Sequence, residues 1–88
     1  MRTHNLSRHW MYPRWINLKQ RCVNPKSAGW RNCGALGITI CREWAGSFER
    51  FLSDVGEPPG KERFWSLERI DDGRGYEPGN VRWSLRRP

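Results

Sequence analysis

Apolar positions recur along this chain in two stretches of helical period and one of strict alternation. Between Pro13 and Cys22, the residues Trp15, Leu18 and Cys22 share one face of a 3.6-residue repeat. Pro13 suits a first helical position, because its ring presets φ and its missing N–H is not needed there. Arg14, Asn17 and Arg21 fall on another face, with Lys19 and Gln20 beside them. The run Asn24-Pro25-Lys26-Ser27-Ala28-Gly29 ends this helix in a loop. Trp44, Phe48, Phe51, Leu52 and Val55 predict a second helix over about residues 43–55, with its aromatic stripe in the core. Gly56-Glu57-Pro58-Pro59-Gly60 stops it. Between the helices, Trp30 to Gly37 reads as a glycine-containing bend, and Ile38-Thr39-Ile40-Cys41 as a short β-branched strand.

The alternation comes last. Trp65, Leu67 and Arg69 line one side of a strand, and Val81 and Trp83 do the same on the return. Asp72-Gly73, Arg74-Gly75 and Glu77-Pro78-Gly79-Asn80 supply the turn chemistry between them. A loop so rich in charge, flanked by tryptophans, reads as a working surface. The expected architecture is α+β: two helices and a short strand packed with a C-terminal β-hairpin on one Trp-rich core. Residues 12–88 would form the domain and residues 1–11 a loose basic arm carrying Arg2, His4, Arg8 and His9.

Eighty-eight residues suit one domain with a modest core, and six tryptophans enlarge what that core can bury. The net charge of +7 is unevenly placed. Residues 1–42 hold eight Lys or Arg and no Asp or Glu, whereas residues 43–88 hold eight basic and nine acidic residues. A basic half of one sign is the footprint of a polyanion-binding protein. The lack of an N-terminal apolar run predicts neither a signal peptide nor a membrane span, so a membrane is not an expected partner. Cys22, Cys33 and Cys41 are odd in number and form no Cys-x-x-Cys pair, which suits small buried hydrophobes in a reducing cytoplasm. Joined by His9 they could supply four zinc ligands, but not at the spacing of a known zinc module.

Several segments together carry a family resemblance. They are Trp15 with Arg21-Cys22-Val23-Asn24-Pro25; Gly34 through Trp44; Ser47-Phe48 and Phe51-Leu52; Leu67-Glu68-Arg69-Ile70-Asp71; and Gly75 through Trp83. In this order and spacing the chain resembles the short phage-type proteins described as HNH-endonuclease-like, over roughly residues 10 to 84. The resemblance implies a phage or prophage origin, DNA as partner and a truncated ββα site. In an HNH site a histidine late in the first strand acts as general base, while a metal ion stabilises the leaving oxygen. Here that position is Arg69, which cannot accept a proton. The middle Asn has no clear match near Tyr76 and Glu77, the final Asn corresponds to Asn80, and only Ser84 to Pro88 follow the second strand. Leu36 stands where the glycine-rich bend commonly carries a basic residue.

The leading expectation is therefore a small nucleic-acid-binding protein, HNH-like and catalytically inactive, with duplex DNA favoured. Arg14, Arg21, Arg69, Arg74, Arg82, Arg86 and Arg87 are its expected contacts, holding phosphates rather than reading bases. No cofactor is expected for that function. The alternative is a metal-dependent endonuclease or nickase, with Asp71, Asp72 and Asn80 around Mg2+ or Mn2+ and His4 or His9 recruited as base. In that case Asp71 and Asn80 are the catalytic candidates. A third class is a small phage inhibitor or assembly factor that binds a host or phage protein. The expected location is the cytoplasm, that of a host cell if the chain is phage-encoded.

Overall fold

The computed structural model describes residues 8–86. It is an α+β fold built around the first helix, α1 (Tyr12–Val23). Pro13 sits in the first turn of α1, as its preset φ favours. Asn24 closes the other end: its N–H returns to the Gln20 carbonyl at 2.9 Å, and its Oδ1 accepts from Lys26 N at 3.0 Å. Two 3-10 turns follow, Trp30–Asn32 and Gly34–Leu36. Gly34 is required there by close approach, since a side chain would collide with the Trp30 ring and the Cys22 carbonyl.

The helix expected over 43–55 is two helices, α2 (Arg42–Gly46) and α3 (Phe48–Val55). Ser47 separates them. Its backbone is extended and its hydroxyl accepts from Arg50 N at 3.1 Å, so it caps α3 instead of continuing α2. The strand expected over 38–41 reduces to one parallel bridge, Ile40 to Tyr76. The hairpin forms as expected: β1 (Trp65–Arg69) pairs antiparallel with β2 (Val81–Leu85), Leu67 opposite Trp83 and Arg69 opposite Val81.

The core joins Trp15, Leu18 and Cys22 of α1 to Ile40, Trp44, Phe48 and Phe51, with Leu67, Val81 and Trp83 of the hairpin packed against it. Each buried indole N–H finds an acceptor. Trp15 donates to the Trp44 carbonyl at 2.7 Å, and Trp44 donates to Asp54 at 2.9 Å. That bond, with Arg50 beside it, holds the Asp54 carboxyl below its ordinary value.

The end of the arm expected over residues 1–11 reaches the core among the described residues. Met11 is fully buried in the core. His9 accepts from Met11 N through Nδ1 at 3.1 Å and reaches Glu57 through Nε2 at 3.3 Å. Residues 8–11 thus belong to the domain; the remainder of the expected arm, His4 included, lies outside the described residues, as do Arg87 and Pro88. No helix among the described residues is long and apolar enough to cross a membrane.

Candidate nucleic-acid interface

The loop between β1 and β2 is held from inside. The Asn80 side chain is buried, and its hydrogen bonds all go to backbone. Its Oδ1 accepts from Asp71 N at 2.8 Å, while Nδ2 donates to the Gly75 carbonyl at 2.8 Å and the Asp71 carbonyl at 3.2 Å. Arg69 works beside it: Nη1 donates to the carbonyls of Asp72 (2.7 Å) and Arg74 (3.0 Å), and its guanidinium lies 5.9 Å from the Tyr76 ring centre. The Asp71 carboxylate accepts from Gly73 N at 2.8 Å, an Asx turn. Arg74 binds Glu77 through Nε at 2.9 Å. Tyr76 then docks the loop on the preceding chain, its N–H donating to Thr39 O at 2.7 Å and its carbonyl accepting from Cys41 N at 2.9 Å.

The seven arginines expected to meet nucleic acid therefore stand in different situations. Arg69 and Arg74 are engaged within the loop. Arg82 lies 3.6 Å from Glu68 across the hairpin, both exposed. Arg87 is outside the described residues. The remaining three, Arg14, Arg21 and Arg86, come together in a cleft of about 260 Å³ between α1 and the hairpin.

Helical spacing puts Arg14, Asn17 and Arg21 on the α1 wall. Arg14 donates to the Trp65 carbonyl at 3.1 Å, and its guanidinium lies 5.8 Å from the ring centres of both Trp10 and Trp83. Arg86 forms part of the opposite wall, steadied by Nε donation to the Ser66 hydroxyl at 3.1 Å. Tyr76 and Trp83 add aromatic surface, and Met11, Leu18, Phe51 and Leu67 an apolar lining. Among the described residues, no carboxylate lines this cleft.

Arg21 is the unusual member. Its Nε is buried without a hydrogen-bond partner, and its guanidinium makes no ion pair among the described residues. An unmatched buried donor of this kind costs about 1–3 kcal/mol. Cys22 lies next to it. Burial pushes the Cys22 thiol up and neighbouring Cys33 adds to that, while Arg21 and Arg69 pull the other way. All three cysteines are free thiols.

Sequence reasoning found the polar face of α1 but missed Ser66, Tyr76 and Trp83 as its opposing surface. The one available signal was Tyr76, an aromatic inside a loop of Gly, Pro and charge. Among the described residues, no three of His, Cys, Asp and Glu gather to hold a metal ion. Comparison with family models, curated proteins and solved structures finds no match to this chain.

Proposed function

We propose that the protein is a small DNA-binding module that grips phosphate through the cleft between α1 and the hairpin. The observation that carries this reading is the convergence of Arg14, Arg21 and Arg86 in a cleft that no carboxylate of the described residues lines, with the buried Nε of Arg21 lacking a hydrogen-bond partner among them. A cleft of one charge with low-dielectric walls concentrates an anionic ligand, and the net charge of +7 draws a polyanion towards it. The module is non-catalytic in this reading. Asn80, a catalytic candidate of the nuclease alternative, and Arg69, which stands where the resemblance puts the general base, are committed to backbone groups of their own loop. A host-cell cytoplasm is the proposed compartment, in keeping with three free thiols.

The test is fluorescence anisotropy with labelled DNA across a salt series, in EDTA and in Mg2+ or Mn2+. Binding independent of metal is expected, with log K falling by about 0.9 per log unit of salt for each phosphate contact on a duplex. Arg21→Gln is expected to flatten that slope by about one contact. An absence of binding, or affinity indifferent to salt, refutes the module. Metal-dependent cutting that disappears in Asp71→Ala replaces it with the nuclease.

A further inference from the structure

Resting on the DNA-binding reading, we infer that the cleft admits a single unpaired nucleotide, not merely the phosphate edge of a duplex. Phosphate contact alone calls for cations on an open surface. Here they surround a concavity whose accessible apolar and aromatic surface comes from the half-buried Leu67, Tyr76 and Trp83, over a floor of core side chains that includes Leu18 and Phe51. Such a lining rewards a flat apolar group entering it, and a base is the flat apolar part of a nucleotide. A volume of about 260 Å³ lies just below the range of drug-sized pockets and takes one such group, not a base pair with its backbones.

The polar groups are divided to match. The Arg21 guanidinium, which makes no ion pair among the described residues, is the anchor for the phosphate. Arg86, oriented by Ser66, stands on the facing wall as a second cation. Asn17, whose carboxamide makes no hydrogen bond among the described residues, offers a donor and an acceptor for a base edge. Tyr76 is the stacking residue, with the Arg69 guanidinium 5.9 Å from its ring centre and its backbone pinned to Thr39 and Cys41. The DNA this protein selects is therefore single-stranded, frayed or carrying an extruded base.

The experiment compares a labelled single strand with a closed hairpin duplex of the same sequence, for the wild type, Tyr76→Leu and Arg42→Gln. The wild type is expected to bind the single strand about tenfold more tightly, and Tyr76→Leu to abolish that preference by removing one stacking platform. Arg42, exposed on α2 away from the cleft lining, serves as control, and its substitution leaves the preference intact. Should Tyr76→Leu fail to fold, competition on the wild type decides: a free nucleoside monophosphate displaces the single strand where inorganic phosphate at matched ionic strength does not. Equal, salt-dependent affinity for both DNAs overturns the nucleotide pocket and leaves the DNA-binding module standing. Binding to neither overturns both.

Discussion

At the scale of single residues, Asn80 shows how one sequence signal can serve two chemistries. An Asn just ahead of a strand, at the end of a charged loop, is equally suited to ligating a metal and to bonding backbone. The structure places its carboxamide against the N–H of Asp71 and the carbonyls of Asp71 and Gly75, with 1% of the residue exposed. These partners are nine and five residues away, so only the closed loop brings them into reach. Asn80→Ala leaves the Asp71 N–H and two carbonyls short of a partner inside the fold. The expected loss is about 3 kcal/mol of unfolding free energy, from a penalty of about 1–3 kcal/mol for each unmatched buried group. Urea denaturation of the variant checks it, and a loss below about 1 kcal/mol would show that water reaches those groups. Arg69 poses the same ambiguity. Its place in β1 was legible from alternation, but its engagement with the Asp72 and Arg74 carbonyls was not, because it depends on how the turn folds back.

At the scale of elements, local signals succeeded where an element satisfies itself and failed where a neighbour decides. Helix α1 and the hairpin were legible from period and turn residues. The break at Ser47 was not, because Trp44, Phe48 and Phe51 keep the helical period across it while a single hydroxyl caps the second helix. The 38–41 segment carries β-branched residues but pairs with a loop, so it forms a bridge instead of a strand. Gly75 makes that docking possible: a methyl group there would fall on the carbonyl and hydroxyl oxygens of Thr39. Gly75→Ala must move the loop away from Thr39 or strain it, and overpacking of this kind costs about 1–3 kcal/mol. The expected signature is local. Amide exchange should quicken at Tyr76 and Cys41, whose N–H groups span the junction, with much less change at Trp15 in α1. Uniform change throughout the chain would mean that loop docking and the core unfold as one unit.

At the scale of the whole molecule, the charge bias of the first half becomes useful only through folding. Arg14 and Arg21 come from α1 and Arg86 from the residue just after β2, so the cleft belongs to neither element and exists only when the hairpin packs on the helix. The sequence could show that cations were in excess; which of them converge is a property of the packing. Under the proposed function the same fact couples ligand binding to stability, because an anion held by a cleft of the folded chain does not bind the unfolded one. Sulfate is a small probe of that coupling. At a few times its dissociation constant it should add about 1 kcal/mol, or roughly 4–8 °C to the melting midpoint of a domain this size. Sulfate also stabilises proteins generally by exclusion from their surface, so chloride at equal ionic strength is an incomplete control. Arg21→Gln supplies the missing one: general exclusion persists in the variant, while stabilisation by an ion seated at Arg21 does not. The expected result is a sulfate-specific rise in the wild type that falls to the general salt effect in Arg21→Gln. Identical rises in both proteins would mean that the Arg21 guanidinium does not hold the anion, and the phosphate anchor would have to be sought elsewhere on the basic surface.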